Sequence, residues 1–358
     1  MKHIPPLSPG SGPAGFCRVS VIIKALNEEK RICAAVESSL VAVSRTGGEV
    51  ILADSFSTDR TVELAANYPI RIVQLAHANE RCCGVGPQLG YQHSHGEYVY
   101  ILDGDMQMVD GFFEQALAFL ARHPEVAGVA GRVIERNLDS LEYRERRQRA
   151  ALRRYTGQME CLDGGGLYRR RAIEEAGYFS DRNLHGYEEF DLAVRLRSLG
   201  WKLWRLPIDA ASHFGHDAPP YKLLVRRWQT RYVCGMGELV RAAAGQPHMR
   251  LVLRDLKELR IYLAVLVWWA LLLSVPFWPL PRPNALAWFA ALAAAPLALM
   301  AWRKRSLSRA LYAVVSWCFN AAGLVRGLVH RRLPARDAVP SVILREPLGH
   351  EQSRSECC

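Results

Sequence analysis

A doubly wound α/β domain, its mostly parallel sheet flanked by helices, followed by an α-helical membrane segment, is the fold class the sequence predicts. Three observations carry that expectation. Short β-branched runs alternate with helix-length stretches through the first half of the chain, the pattern of a sheet covered on both faces. From Arg260 the composition becomes almost charge-free over stretches of about the bilayer-spanning length, 17–25 residues. Basic residues flank those stretches: Arg250, Arg254, Lys257 and Arg260 before the first, Arg303-Lys304-Arg305 after the second.

Each element follows in order. CRVSVIIKAL (17–26) is a buried-strand candidate, and NEEKRICAAVESSLVAV opens a helix with Asn27 as its expected N-cap. EVILADS (49–55) is strand-like, STDRTVELAAN helical, and PIRIVQLA (69–76) and EYVYILD (97–103) are further strands. GFFEQALAFLARHP is a helix and VAGVAGRVIE a strand. LEYRERRQRAALRRY (141–155) reads as a solvated amphipathic helix, or as a basic surface facing anionic lipid or an acceptor phosphate. LHGYEEFDLAVRLRSLGW (184–201) puts Glu188, Glu189 and Asp191 in a first helical turn, with Leu192, Leu196 and Leu199 inward and Asp191 paired to Arg195. The expected organisation is a disordered lead-in (1–16), an α/β domain (17–245), membrane-anchoring helices (246–332) and a tail (333–358). Spans are expected at about 260–278 and 284–302, with a third segment at 309–329 that spans or lies in the interface. The positive flanks orient the α/β domain toward the cytosol, as part of a multi-pass protein of the cytoplasmic membrane.

Composition narrows the partners. The formal charge of +11 and pI near 9.4 call for a polyanionic neighbour. Charge alone does not choose between nucleic acid, an anionic membrane face and phosphorylated ligands; the motifs below point to a membrane and phosphorylated ligands and to no nucleic acid. Nine cysteines in irregular positions, without C-x-x-C spacing, indicate a reducing compartment. MKHIPPLSPGSGPAG lacks the apolar core of a signal peptide, and the terminal Cys357-Cys358 pair is not a prenylation box.

The chemistry-bearing residues gather where strands end, the edge at which such sheets bind ligands. Asp103-Gly104-Asp105 closes one strand; two carboxylates that close repel unless water screens them in an ordinary acidic turn or a divalent cation lies between them. Mg²⁺ or Mn²⁺ suits such a pair, leaving other positions to substrate phosphate. Asp54 closes another strand ahead of Ser57, Thr58 and Asp59. Gly164, Gly165 and Gly166 allow close backbone approach. Glu188 and Glu189 flank the leucine stripe about equally, so periodicity leaves either as a general base. His213 and His216 are core or surface histidines, or metal or phosphate contacts. GVGPQLG (84–90) has the wrong spacing for a dinucleotide loop, which excludes nicotinamide and flavin chemistry.

VSVIIKALNEE, VILADSFSTDRT, YILDGD, DGGGLYRR and YEEFDLAVRLRSLGW, in this order, resemble the family 2 glycosyltransferases of GT-A fold, over about residues 18–220. The resemblance implies a nucleotide pocket lined by Ala25, Asn27 and Glu28, with Asp54 on the base. It places Asp103 and Gly104 at the donor, Asp105 as metal ligand with Asp103 beside it, and His213 at a position that sometimes joins the metal. Glu189, with Glu188 as alternate, stands for the catalytic base, and Gly164–Gly166 for the acceptor floor. Three departures stand out: Lys24 where proline is common, Ser55 in place of a second acid, and Glu189 where aspartate is usual. The implied reaction is inverting transfer of a sugar from a nucleotide-diphosphate donor to a saccharide or lipid-linked hydroxyl, in exopolysaccharide or other envelope glycan synthesis. The alternative is a non-catalytic, membrane-tethered sugar-nucleotide-binding or scaffold subunit. RRWQTRY (226–232) does not meet the Q-x-x-R-W signature of processive synthases.

Overall fold

The structure, a computed structural model, describes residues 17–137, 156–215 and 219–347. The lead-in, the arginine-rich stretch 141–155, His216 and the terminal cysteine pair lie outside the described residues.

Strands β1 (Val19–Ala25), β2 (Gly48–Asp54), β3 (Arg71–Leu75) and β4 (Tyr98–Asp103) fall where the apolar runs predict them. They are followed by β5 (Met106–Met108), β6 (Val126–Glu135), β7 (Gly157–Met159), β8 (Leu167–Arg169), β9 (Lys202–His213) and β10 (Ser341–Arg345). Among the described residues these ten form one sheet, ordered β10-β3-β2-β1-β4-β8-β6-β9-β5, with β7 paired to β9. The β3-β2-β1-β4 half is parallel, whereas β8 pairs antiparallel with both β4 and β6, so the sheet is mixed.

The parallel strands are apolar on both sides because each side has its own core. Val19, Val21 and Ile23 of β1 and Tyr98, Tyr100 and Leu102 of β4 pack on helices α1 (Ile32–Thr46) and, further along the chain, Phe112–Arg122. Ile22, Val99 and Ile101 point the other way, toward helices Val85–Gln92, Arg170–Ala176 and Glu188–Ser198. Together with the short helix Thr61–Ala65, α2, these five make six, α1 to α6 in chain order, so Glu188–Ser198 is α6. The rejected GVGPQLG stretch lies in the buried helix Val85–Gln92; a Cβ on Gly90 would sit 2.1 Å from Ile22 Cγ2, so that glycine serves helix-to-sheet packing.

Two local expectations differ from the structure. Helix α1 starts at Ile32, not after Asn27. Asn27 instead adopts φ 61 and its Oδ1 accepts from Thr58 N at 2.8 Å, so residues 26–31 belong to the ligand-edge loop. Leu199 is exposed, because α6 ends at Ser198; Leu192 and Leu196 are buried as expected.

Beyond the sheet come α7 (Pro220–Gln229), α8 (Gly235–Ala243), α9 (Met249–Asp255), α10 (Lys257–Ser274), α11 (Arg282–Lys304) and α12 (Leu307–Val329). Three helices among the described residues are long and apolar enough to cross a membrane: α10 with its extension to Phe277, α11, and α12. A third core joins them to the sheet domain, with Leu184, Val194, Met236 and Leu239 against Leu259, Tyr262, Ala321 and Leu324. Part of the expected tail returns to the sheet as β10, antiparallel to β3.

Helix α6 is held by the anticipated Asp191–Arg195 pair, which turns out to be buried. Arg195 Nε lies 2.8 Å from Asp191 Oδ2, and its other nitrogens donate to the carbonyls of Ala176, Tyr178 and Phe179. Removing one member of a buried pair leaves the other charge uncompensated. Arg195→Met is expected to lower the unfolding free energy of the detergent-solubilised chain by about 3–5 kcal/mol, measured by chemical denaturation. Adding Asp191→Leu should recover much of that loss; equal losses in single and double variants would contradict the coupling.

Candidate active site

The register of the parallel strands builds the centre of the site. Lys24 on β1 stands directly opposite Asp103 on β4, and Ala25 opposite Asp54 on β2. Facing residues share one side of a sheet, so the Lys24 ammonium reaches Asp103 Oδ1 at 3.0 Å. The same Nζ lies 3.4 Å from Glu188 Oε1 on the first turn of α6. Burial alone would lower the Lys24 pKa, but Asp103, Glu188 and Glu189 together hold it well above its ordinary value.

Glu188 and Glu189, equivalent on a helical wheel, have different partners. Glu188 turns to Lys24, whereas Glu189 accepts from the Gly164 and Gly165 amides at 3.2 Å each. These glycines have φ +80 and +97, and a Cβ on Gly165 would lie 2.6 Å from Ile101 O. Gly164 and Gly165 are thus required by a left-handed backbone wedged between the end of β4 and a carboxylate. Burial pushes the Glu189 carboxyl up to about 8; Lys24 opposes the rise, and Glu188, Asp103 and Asp163 add to it. Lys24, Gly165, Tyr168, Glu188, Glu189 and Leu192 line a small cavity here.

A second cluster sits around Asp105. Strand β5 pairs with β9 so that Met106 faces His213, and β6 pairs with β9 so that Glu135 faces His213. His213 Nε2 consequently lies 3.2 Å from Asp105 Oδ2, and Nδ1 lies 2.6 Å from Glu135 Oε2. Burial would lower the imidazole pKa, but hydrogen bonds to both carboxylates push it up to about 10. No group of three or more metal-ligating side chains occurs among the described residues. The donor set still fits a divalent cation that takes its remaining ligands from phosphate and water. Asp105 supplies a carboxylate and His213 a ring nitrogen, while Glu135 on the other nitrogen orients the ring as a carboxylate behind a metal-bound histidine does.

The remaining expected residues form the rim. Asp54 is fully buried; it accepts from Ser57 N at 2.9 Å, from the Ser57 hydroxyl, and from Gln74 Nε2 at 2.8 Å. Asn27 N donates to Ser57 Oγ at 2.9 Å and Glu28 N to Thr61 Oγ1 at 2.7 Å, tying the loop after β1 to the loop after β2. Gly104 is pressed between Ala25 and Glu28: a Cβ there would sit 2.9 Å from Glu28 Cγ and 3.2 Å from Ala25 Cβ. Sequence reading missed Glu135 and Gln74, which become partners only through strand register. Lys24 was visible as a departure, and its place one residue before the end of β1 was the available signal.

A mixed sheet whose parallel strand ends carry an acid pair, with a glycine loop and an acidic helix start across the cleft, is the arrangement of the GT-A fold. The mannosyltransferase PcManGT from Pyrobaculum calidifontis, solved in complex with GDP-Man and Mn²⁺, superposes with a TM-score of 0.56 at 21% identity, covering 91% of each chain. Residues 20–177 match the model of the family described as Glycosyl transferase family 2. Probable glucomannan 4-beta-mannosyltransferase 15 of Arabidopsis thaliana is 30% identical over 168 residues, 42% of this chain and 30% of that protein. The putative glycosyltransferase EpsE of Bacillus subtilis (strain 168) is 31% identical over 117 residues, 32% of this chain and 40% of that protein. The chain therefore spans less than half the length of either curated relative.

Gly165→Ala brings a Cβ into the Ile101 carbonyl at a positive φ. It is expected to destabilise the protein by about 1–3 kcal/mol and to release the Glu189 carboxylate from its amides. Thermal unfolding checks the first effect; an unchanged midpoint would contradict the wedge.

Proposed function

We propose that the protein transfers a sugar from a nucleotide-diphosphate donor to a hydroxyl of a saccharide or lipid-linked acceptor, with inversion at the anomeric carbon, at the cytoplasmic face of a membrane. The observation that carries this reading is the Asp103–Lys24–Glu188 chain. It joins the acid pair at the sheet edge to the acidic start of α6, bringing a diphosphate site and a candidate base into one cleft.

In this reading Ala25, Asn27, Glu28, Asp54 and Gly104 shape the nucleotide end, and Asp103 and Asp105 face the diphosphate. Asp105 with His213 would hold Mg²⁺ or Mn²⁺, which supplies Lewis-acid neutralisation of the departing diphosphate. Lys24 adds a fixed positive charge beside it. Glu189 takes the acceptor proton while the acceptor oxygen bonds to the anomeric carbon and the carbon–phosphate-oxygen bond breaks. The raised Glu189 pKa matches a base working near neutrality, and positioned bases contribute roughly 10²–10⁴-fold. Gly164–Gly166 leave the acceptor side clear of side chains. The mannosyltransferase names among the relatives support a hexosyl donor, and their polysaccharide products support a role in exopolysaccharide or other envelope glycan synthesis.

Thermal shift across a nucleotide-sugar panel that includes GDP-mannose, with and without Mn²⁺, is expected to give a metal-dependent stabilisation by one donor. Asp105→Ala should remove both that metal dependence and transfer; full turnover in the variant would overturn the metal assignment. Glu189→Gln should lower transfer by at least about 100-fold with donor-induced stabilisation kept.

The pH profile follows from charge. A base works deprotonated, so with Glu189 near 8 transfer should climb as pH rises through about 8 and then level. Lys24 lowers the Glu189 pKa, so Lys24→Met should move that climb to higher pH. A profile unaffected by Lys24→Met would remove Lys24 from this role.

A further inference from the structure

The chain on either side of the three apolar helices belongs to one sheet. Ahead of them lie β1 to β9; after them Ser341 pairs opposite Leu75 and Val342 opposite Gln74 on β3. Between these, Leu333 and Asn183 exchange two hydrogen bonds of 2.8 and 2.9 Å, and Arg332 pairs with Asp181 at 2.8 Å. An open sheet cannot extend its backbone ladder through a bilayer, so β3 and β10 lie on the same side. A chain that departs at Lys257 and is back at Arg332 crosses an even number of times. Of the three helices with the length and composition of spans, at most two cross.

The packing identifies the one that does not. Along its length α12 rests on polar-layer elements that precede α10. Tyr312 meets Tyr221 (ring centroids 5.3 Å apart) and Phe319 meets Trp228 (5.9 Å). Further along, Gly323 and Gly327 approach so closely that a Cβ would lie 2.4 Å from Val233 O and 2.2 Å from Cys234 O. At its end, Arg231 Nη1 lies 2.7 Å from His330 Nε2. Its neighbour α7 carries Lys222, Arg226 and Arg227, a charge density that the hydrocarbon core does not accept. Where α12 runs beside α7, from Tyr312 to Arg326, it lies next to that charge and not in the hydrocarbon core, while its other side packs on α10 and α11. The other two helices also expose bulky apolar side chains, among them Leu273, Phe277, Leu286 and Trp302.

The outward face of α7 is itself amphipathic. Tyr221, Lys222, Val225 and Arg226 are all exposed on one helical side, and Leu311, Val325 and Val329 are exposed on α12. Aromatic and apolar groups interleaved with lysine and arginine suit the boundary of an acidic lipid leaflet. We infer that α10 and α11 form a two-span hairpin, while α12 lies with α7 in the plane of the membrane surface, seated on acidic lipid headgroups. This holds whatever sugar, if any, the site transfers.

The test uses the full chain in a bacterial host, with a protease-cleavable tag at the N-terminus, within 279–281, at 305–306 or at the C-terminus. In inverted vesicles, cleavage is expected at every position except 279–281. Protection of the C-terminal tag alone, protection at 305–306, or cleavage at 279–281 would each overturn the two-span hairpin. Cross-linking to photoactivatable phosphatidylglycerol in the same membranes should label the peptides of α7 and α12 several-fold more than photoactivatable phosphatidylcholine does. Lys222→Glu with Arg226→Glu should abolish that preference on α7. Labelling confined to α10 and α11, or equal for the two lipids, would overturn the surface seating.

Discussion

The Lys24 ammonium is the interaction on which the rest of the cleft depends. Asp103, Glu188 and Glu189 converge where water is partly excluded. Two like charges about 4 Å apart repel by roughly 4 kcal/mol at an effective dielectric of 20. A single cation within 3.0 Å of one carboxylate and 3.4 Å of a second lets the sheet edge and the start of α6 approach each other. It also divides the work of the two glutamates. Glu188 pairs with the ammonium, while Glu189 is left against two amides with its pKa raised by burial. His213 lies between Asp105 and Glu135, with one ring nitrogen toward each carboxylate. The site is therefore two carboxylate clusters, one gathered around Lys24 and one around His213.

The fold was legible because its signal is local. Burial on both faces of β1, β2 and β4 requires near-continuous apolar runs, and those runs ended within a residue or two of the observed strands. The acid residues at the strand ends were legible for the same reason. What sequence could not supply was register. Glu135 and His213 are 78 residues apart and meet only because β6 and β9 pair in parallel with several shifts. Strand β10 was equally opaque, since its role is to complete an edge set by β3, 266 or more residues earlier in the chain by the spacing of Ser341 and Leu75. Asn27 shows the opposite failure: a residue with good capping chemistry was used by the neighbouring loop, whose Thr58 amide competes for the same oxygen.

The helices beyond the sheet are tied to the chemistry through small residues. Gly235 lies so close to the loop before α6 that a Cβ would sit 2.8 Å from Gly186 N. A Cβ on Gly237 would sit 2.1 Å from Leu324 O on α12. Glu238, the next residue, accepts from His185 N at 2.9 Å and lies 2.9 Å from His185 Nδ1. Close backbone packing of this kind transmits position rigidly, because no side chain is available to absorb a shift.

From that seam the orientation of the cleft follows. Helix α8 is fixed on one side to α12 and on the other to the loop carrying Tyr187, whose φ of 68 starts α6. The first residues of α6 are Glu188 and Glu189, so the carboxylates opposite the glycine floor are positioned from the apolar layer, whereas Asp103 and Asp105 are positioned from the sheet. The two halves of the cleft thus take their coordinates from different parts of the protein and are joined by Lys24. In the reaction proposed above, a ligand bridging them would be held between a rigid sheet edge and a helix start referenced to the apolar helices, the geometry needed when a water-soluble donor must meet an acceptor presented at a lipid surface.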